Sequence, residues 1–226
     1  MKLLVDADSL IFSSAFADTL EIAKNSFDRK LRDIVNHLEE FHEIEEVRVF
    51  NGSLGNFRNI LTKKYKANRK ASARPELLGE LHNLIKFDYN SIFEYGVETD
   101  DVVAKHWFNE SKLVGRDNVM IVSIDKDYKQ FPCLMFNYHH KHWCVLDITI
   151  AEARFNFYEQ MIVGDTADNV NYFFRKGAKF AGKYFEGCVT DYQYRKQLYL
   201  LFKEVYKSKA KEKYSECYNL LKLRTQ

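Results

Sequence analysis

The sequence of 226 residues predicts an α/β fold with a mainly parallel, twisted sheet and helices on both faces. Two observations predict this class. Short apolar runs typical of buried strands alternate along the chain with segments of helical periodicity. Acidic residues directly follow several of the runs, as they do where parallel strands end at one edge of a sheet. A part rich in Tyr and Lys comes after this pattern and predicts a C-terminal helical element.

In the first half of the chain, predicted strands and helices flank a polar segment. The run "KLLVDAD" predicts the first strand, and the apolar spacing between Ser9 and Phe41 predicts one or two amphipathic helices. The run "EEVRVFN" predicts a second strand. After a polar stretch, Pro75 at the start of "PELLGELHNLIKF" predicts the beginning of the next helix.

The second half continues the alternation. The run "SIFEYG" predicts a third strand, a helix follows from Thr99 to Leu113, and "NVMIVSID" predicts a fourth strand. The runs "LMFNYHH" and "KHWCVLDI" predict two further strands that can form a hairpin. Thr149 is placed to cap the helix "IAEARFNFYEQMIV", and helical spacing resumes from about Asp191.

Composition excludes several classes of protein. No apolar run is long enough to span a bilayer, and the N-terminus meets an aspartate too early for a secretory signal. The cysteines are scattered without CxxC spacing, which predicts reduced thiols in a cytoplasmic protein and neither a zinc site nor a disulfide framework. Those residues are Cys133, Cys144, Cys188 and Cys217.

The net charge is only +2, but the charges are separated along the chain. Seven basic residues and no acid lie between Phe57 and Pro75, and Tyr65 stands among them in "KKYKANRK". Lysines neutralise phosphates, Arg can grip one bidentately, and Tyr can stack on an unpaired base. The basic segment therefore indicates an anionic partner such as nucleic acid; the alternative is a solvated charged loop.

Nine acids from four segments are expected at the carboxyl edge of the sheet. Two carboxylates about 4 Å apart repel by roughly 1 kcal/mol in water and about 4 kcal/mol at an effective dielectric of 20. Each group alone could be a helix cap or a turn, but a shared face requires cations. Hard oxygen ligands favour Mg²⁺, with Mn²⁺ as a substitute, and two such ions catalyse phosphoryl displacement. The acids are Asp6, Asp8, Glu98, Asp100, Asp101, Asp125, Asp127, Asp165 and Asp168.

Several motifs together resemble the phage and bacterial 5′→3′ exonucleases and flap endonucleases. They are "LLVDADSL", "VFNGSLGNFR", "YKANRK", "GVETDDVVA", "VSIDKDYKQF" and "GDTADN". The segment "YKANRKASARPE" is similar to phage T7-type exonucleases, and "MFNYHHKHW" is similar to phage T4-type ribonuclease H. The resemblance implies a PIN-like nuclease core over residues 1–163, with a basic arch at about 52–75. Residues 164–226 would form a helical element that grips duplex DNA.

The resemblance also implies roles for individual residues. Asp6, Glu98, Asp100 and Asp101 would serve one metal ion, and Asp125, Asp127, Asp165 and Asp168 the other, with Asp8 as a further acid of the site. Lys66 and Arg69 would contact the scissile phosphate. The remaining DNA-binding residues would be Tyr65, Lys63, Lys64, Lys70, Arg74, Lys176, Lys179 and Lys183.

Two positions depart from the family pattern. Asn51 stands where relatives carry aspartate, so a metal would bind there more weakly. After "GDTADN", the segment "VNYFFRKGAKFAGKYFEG" has lost the glycines that would precede Gly177. Left-handed turns cost more without glycine, which predicts duplex binding by an altered geometry and disfavours a K⁺ site.

The sequence therefore predicts a monomeric two-metal nuclease that cleaves DNA at 5′ ends, flaps or RNA primers, in a bacterial or phage-infected cytoplasm. RNA in RNA–DNA hybrids is a further predicted substrate. One alternative is a structure-specific DNA-binding protein weakened by Asn51, and another is a PIN-type ribonuclease. His139, His140 and His142 are interpreted as a polar turn rather than a metal cluster.

Overall fold

A computed structural model describes residues 1–52, 55–68 and 74–225 of the chain. One sheet lies at its centre, with the strand order β2-β1-β3-β4-β5. The first four strands of this order run parallel, and β5 pairs antiparallel with β4. The strands are β1 (Lys2–Asp6), β2 (Glu46–Phe50), β3 (Val119–Val122), β4 (Leu134–Asn137) and β5 (Cys144–Asp147).

Nine α-helices lie in the described ranges and surround the sheet or form the C-terminal element. The first five are α1 (Asp8–Ser14), α2 (Leu20–Glu39), α3 (Arg58–Leu61), α4 (Leu78–Asp88) and α5 (Thr99–Val114). The others are α6 (Ile150–Val163), α7 (Ala178–Tyr184), α8 (Asp191–Tyr206) and α9 (Ala210–Leu221). The helix α6 begins with a capping box in which the side chains of Thr149 and Glu152 bond to each other's backbone N–H.

The sheet is buried on both faces, as expected for parallel strands linked by helices. Alternate residues of β1 point to opposite faces, so Leu3 packs with α1, α2 and α4 while Leu4 packs with α5. A third apolar cluster joins α6 to α9 and includes Tyr65 from the basic segment. The core therefore has two layers around the sheet and a separate helical part at the C-terminal end.

The predicted α/β class and parallel sheet are confirmed, but the predicted third strand over 91–96 is wrong. Only Ile92 bridges to Phe50, and the chain then turns at Gly96, where φ is +75°. A single bridge leaves this segment as an irregular connection at the edge of β2. None of the helices in the described ranges combines the length and apolar character that crossing a membrane requires. All four cysteines are free thiols.

The parallel register decides where the polar residues meet. Because β1 and β3 run side by side, Asp6 and the residues after Val122 leave the sheet at the same edge. The N-terminus of α5 and the turn after α6 also reach this edge, where their acids lie beside those of the strands. The topology thus assembles one site from segments more than a hundred residues apart.

The turn after α6 depends on Gly164, whose φ is +79°. A Cβ there would lie 2.2 Å from the backbone oxygen of Val170, which accepts the hydrogen bond of Asp165 N. We expect Gly164→Ala to lower the free energy of unfolding by more than about 2 kcal/mol, measured by urea denaturation.

The matched control is Gly182→Ala in α7, where no atom lies within 4 Å of the added methyl group. This change should leave stability unchanged or raise it by up to about 1 kcal/mol. Equal effects of the two substitutions would contradict the tight turn at Gly164.

Candidate metal centre

Acids from the start of α5 and from the residues after β3 form two groups at the carboxyl edge of the sheet. Carboxylate oxygens of Asp100, Asp125 and Asp127 lie within 4.8 Å of one another, and Glu98, Asp100 and Asp101 form a second such group. Asp100 belongs to both groups and joins them. In the part of the chain that the structure describes, these are the groups of acids, histidines or cysteines close enough to share an ion.

Asp6 lies at the end of β1 and is buried, with 8% of its surface exposed. Its Oδ2 accepts hydrogen bonds from the Tyr128 hydroxyl at 2.9 Å and from Ser123 Oγ at 3.3 Å. Burial, with the charges of Asp8 and Asp125 nearby, raises the pKa of Asp6 to about 7. The site thus holds a carboxyl group that resists ionisation while no cation is present.

Asp100 and Asp127 share this property. Burial and the adjacent charges of Glu98 and Asp101 raise the pKa of Asp100 well above its ordinary value. Burial, Asp125 and Asp165 raise the pKa of Asp127 to about 7, although Gln160 Nε2 donates to its Oδ1 at 2.7 Å. Burial is the first cause of both raised pKa values, and repulsion between neighbouring carboxylates adds to it.

The turn after α6 supplies two further acids. Asp165 Oδ1 accepts hydrogen bonds from the backbone N–H groups of Ala167 and Asp168, which fixes the turn. Burial would raise the pKa of Asp165, but the Lys126 ammonium, 2.9 Å from its Oδ2, outweighs burial and lowers it. Asp168 faces the basic segment and accepts the Tyr65 hydroxyl at 2.7 Å.

A buried guanidinium, that of Arg58, balances part of the acidic charge. It donates to both oxygens of Asp101, at 2.6 and 3.0 Å, and to Glu98 Oε2 at 2.8 Å. Its other hydrogen bonds reach the carbonyl oxygens of Leu220 and Lys222 at 2.9 and 3.1 Å. Arg58 and Asp101 are each only 1% exposed, so this is an ion pair inside the protein with every donor satisfied.

This arrangement occupies the Asp101 carboxylate, which also accepts the backbone N–H of Arg224 at 2.7 Å. Asp101 was predicted as a metal ligand, and the structure shows both of its oxygens bonded to the protein. For Glu98, burial alone would raise the pKa, but Lys66 and Arg58 outweigh it and lower it. Glu98 and Asp101 thus both accept hydrogen bonds from Arg58, whereas Asp100 between them does not.

Asp8 and Asn51 are also held by the protein. Asp8 accepts the backbone N–H of Gly52 at 2.8 Å and the Thr99 hydroxyl at 2.6 Å, linking the start of α1 to the segment after β2 and to the start of α5. The Asn51 amide donates to the carbonyl oxygen of His82 at 2.9 Å, and its Oδ1 lies 3.3 Å from His82 Nδ1. Asn51, 1% exposed, is therefore bound to α4.

The described part of the basic segment lies against the turn at 165–169. Lys66 N donates to Asp168 O at 2.9 Å, and Asn169 Nδ2 donates to Lys64 O at 2.8 Å. The Lys66 ammonium contacts Glu98 directly and lies 3.6 Å from Asp168 Oδ1. This amine therefore bridges acids from α5 and from the turn after α6.

Tyr65 is placed differently from the prediction that it contacts a base. Its ring is 4% exposed and packs in the C-terminal apolar cluster, while its hydroxyl meets Glu98 Oε2 at 2.9 Å. Burial, Glu98 and Asp168 raise the pKa of Tyr65, so the hydroxyl stays a proton donor to these carboxylates. The buried ring leaves no face on which a base could stack.

The other predicted DNA-binding residues are more accessible. Lys63, Lys64 and Arg74 are exposed, as are Lys179 and Lys183 on α7. Lys176 lies over the ring of Phe180, 3.9 Å from its centroid. Arg69 and Lys70 lie outside the described residues. His139, His140 and His142 lie on the turn between β4 and β5 with adjacent rings.

Sequence reasoning missed the residues that hold the acids in place. Arg58 was counted only as one of seven basic residues, and Tyr128, Ser123, Thr99 and Gln160 were not singled out. The only signal for Arg58 in the sequence is that it directly follows an aromatic residue, Phe57. The partners of these residues are distant in sequence, so no local pattern reveals the contacts.

The donor set fits divalent metal ions. Asp6, Asp100, Asp125 and Asp127 offer only oxygen atoms, which hard cations such as Mg²⁺ and Mn²⁺ prefer. Protein cations balance Asp101, Glu98 and Asp165, but Asp6, Asp100 and Asp127 keep raised pKa values. A cation bound beside these carboxylates would remove their mutual repulsion and offset the cost of burying their charges.

The Arg58–Asp101 pair generates a stability prediction. Arg58→Met leaves the Asp101 carboxylate buried without its partner, so we expect a loss of about 3–5 kcal/mol in the free energy of unfolding. The double variant Arg58→Met with Asp101→Leu should recover part of this loss in a urea-denaturation cycle.

The control is Arg195→Met, which breaks an exposed pair with Asp191 and should cost less than about 1 kcal/mol. A similarly small cost for Arg58→Met would contradict the central role of this ion pair.

The raised pKa of Asp127 predicts a pH-dependent stability. A carboxyl whose folded pKa is about 7, against an ordinary 3.8, stabilises the fold while protonated, and the contribution is lost as pH rises towards 7. In EDTA, Asp127→Asn should therefore raise the melting temperature by several degrees at about pH 8 and by little at about pH 5.

In saturating Mg²⁺ the wild-type protein should have the higher melting temperature, because its Asp127 carboxylate can bind the ion more strongly than an asparagine can. Wild type and Asp127→Asn contain the same histidines, so the difference between their melting temperatures at each pH excludes the contribution of histidine titration. A difference in melting temperature that is constant across this pH range would refute the prediction.

Comparisons with known proteins agree with this geometry. A 5′-3′ exonuclease of Buchnera aphidicola is 27% identical over 153 residues, covering 62% of this chain and 52% of that protein. The chain thus matches about half the length of this curated relative.

Solved structures show the same fold. The flap endonuclease of bacteriophage T5, crystallised with DNA and metal ions, gives a TM-score of 0.71 at 15% identity, covering 97% of this chain and 88% of that one. The T5 5′-exonuclease with bound zinc gives 0.62 at 14% identity, covering 99% of both chains. Residues 1–154 match the sequence family described as 5′-3′ exonuclease, N-terminal resolvase-like domain, and the chain belongs to this family.

Proposed function

We propose that this protein is a divalent-metal-dependent nuclease that hydrolyses phosphodiester bonds of DNA in the 5′→3′ direction. The proposed substrates are 5′ ends, 5′ flaps and RNA primers paired with DNA, and the proposed cofactor is a pair of Mg²⁺ ions. The supporting observation is the convergence of Asp6, Asp100, Asp125 and Asp127 at one sheet edge, directly beside Lys66. An acidic site for cations thus adjoins a basic segment for phosphate.

The acids divide into proposed ligands and positioning residues. Asp100, Asp125 and Asp127 would hold one ion, and Glu98 and Asp100 would hold a second. Asp6 would add negative charge beside these two groups. Asp165 and Asp168 are proposed as further ligands on the side of Asp127. When bound, divalent ions supply the positive charge that stabilises the attacking and leaving oxygens of an in-line displacement at phosphorus.

Asp8 and Asp101 are proposed to position these ligands. Asp101 holds Arg58 and thereby fixes the start of α5, and Asp8 fixes Thr99 through the hydrogen bond of its side chain. Tyr128 and Ser123 hold the Asp6 carboxylate from the protein side, which leaves its orientation set before substrate arrives. Such prior ordering avoids reorganisation during the reaction.

Lys66 is proposed as the residue that contacts the scissile phosphate. Its ammonium meets Glu98 and Asp168, at the boundary between the two groups of acids. A phosphate entering there would take one of the hydrogen bonds that the amine now gives to carboxylates. Because charge on the phosphate oxygens redistributes in the transition state, this contact contributes more to rate than to binding.

We expect Lys66→Ala to lower kcat by about 10²-fold while changing the Kd for DNA by less than about threefold. Single-turnover cleavage and anisotropy binding measure the two quantities. Lys63→Ala is the matched control, since this exposed lysine should contribute only to binding and its salt dependence. Equal losses of rate and affinity for Lys66→Ala would mean that it only anchors the backbone.

The proposed function itself is tested with end-labelled duplexes that carry a 5′ flap, a blunt end or an RNA primer. Cleavage should require Mg²⁺ or Mn²⁺, stop in EDTA, and release products from the 5′ end. Cutting without metal, or attack only from 3′ ends, would overturn the proposal. Tight binding of branched DNA with no cleavage under any of these conditions would instead identify a DNA-binding protein on a nuclease fold.

A further inference from the structure

A groove runs from the acidic site across the neighbouring surface. It consists of two adjoining cavities of about 420 and 380 Å³. The first is lined by Asp8 and Phe12 and by residues of α4; the second lies between α2 and the turn joining β4 to β5. Ser9, Ser13 and Ile124 line both cavities. The two cavities therefore share part of their lining, and the first begins at Asp8, an acid that adjoins Asp6.

The second cavity contains a cation whose charge the protein does not balance. Lys30 is half-buried, and its ammonium donates to the hydroxyls of Ser13 and Ser14 at 2.9 and 3.0 Å. Within the described ranges, no carboxylate lies within 4.0 Å of this ammonium, although Asp33 lines the same cavity. Neutral hydroxyls orient the ammonium without neutralising it, so an anion can still pair with it.

Aromatic and imidazole rings line the same cavity as Lys30. Trp143 packs on Phe136 and His37, with ring centroids 5.2 and 5.5 Å apart, and remains 39% exposed on the cavity side. Its φ of +35° is rare for a bulky residue and indicates that the surrounding structure holds the backbone at this position. In the first cavity Phe12 is 46% exposed. Each cavity thus offers at least one partly exposed aromatic ring.

The two sides of the acidic site differ in character. On one side, Asp127 and Gln160 border a cavity that reaches Ala178 at the start of α7, the helix that carries Lys179 and Lys183. On the other side, Asp8 opens into the groove. A DNA strand that enters from α7 and crosses the acids would leave along the groove.

We propose that the groove binds unpaired nucleotides of the DNA strand that continues past the metal centre. Lys30 pairs with a phosphate, while Phe12 and Trp143 stack on bases, which is the combination that single-stranded DNA sites use. The histidines of the turn, His139 and His140, line the same cavity and add donors to the backbone. Because the cleaved substrate delivers this strand, the assignment rests on the proposed nuclease function.

Binding is tested in EDTA at low salt with a fluorescent oligothymidylate of about eight nucleotides, a sequence without structure of its own. Lys30→Ala and Trp143→Ala should each raise its Kd at least about fivefold, and Trp143→Phe should retain most of the affinity. Trp143 emission should also be quenched, since the other tryptophan, Trp107, is buried. The matched control is Lys24→Ala, on the same helix, whose ammonium pairs with Asp28 and Asp88.

Unchanged affinity in both groove variants would overturn the proposal, as would an equal loss in Lys24→Ala, which would indicate general charge attraction. A cleavage assay separates this failure from that of the nuclease assignment. Lys30→Ala and Trp143→Ala should slow cleavage of long 5′ flaps about fivefold and leave blunt duplexes unaffected, which also certifies their folding. If the wild-type protein binds oligothymidylate through the groove but cleaves no substrate, the proposed nuclease function is wrong and the proposed binding site stands.

Discussion

The buried ion pair between Arg58 and Asp101 is the interaction on which the acidic site depends. The guanidinium of Arg58, the first residue of α3, joins this helix to the start of α5 and to the backbone at the end of α9. Without this internal cation, Asp101 would be an uncompensated buried charge beside Asp100, and Glu98 would keep only Lys66 as its cationic partner among the described residues. The protein therefore neutralises one part of its carboxylate cluster internally and leaves another part to be balanced by a cation from outside.

The acids of the site form two sets with opposite electrostatic character. Glu98 and Asp165 have lowered pKa values because Lys66 and Lys126 outweigh their burial. Asp6, Asp100 and Asp127 have raised pKa values because burial and neighbouring carboxylates outweigh the hydrogen bonds and the Arg58 charge that act against them. The second set marks where an external cation gains the most free energy, since it removes both the repulsion and the desolvation cost. Metal affinity here arises from charge that the fold leaves unbalanced.

The sequence predicted the parallel sheet and the converging acids well, because periodicity and strand-end position are local properties. It failed for the strand at 91–96, where apolar residues cover the edge of β2 through one bridge instead of forming a ladder. The sequence also could not predict how the side chains of Asp8, Asp101 and Tyr65 are oriented. Each depends on a partner far along the chain, such as Thr99, Arg58 or Asp168, and the spacing of residues carries no record of such contacts.

Tyr65 connects the basic segment to the rest of the molecule in a way that constrains motion. Its ring is part of the C-terminal apolar cluster, and its hydroxyl is bonded to acids from two elements. Moving the basic segment outward would require extracting an aromatic side chain from a packed core and breaking these bonds together. The basic segment is therefore anchored beside the acids at Tyr65, and folding fixes its position there before a substrate binds.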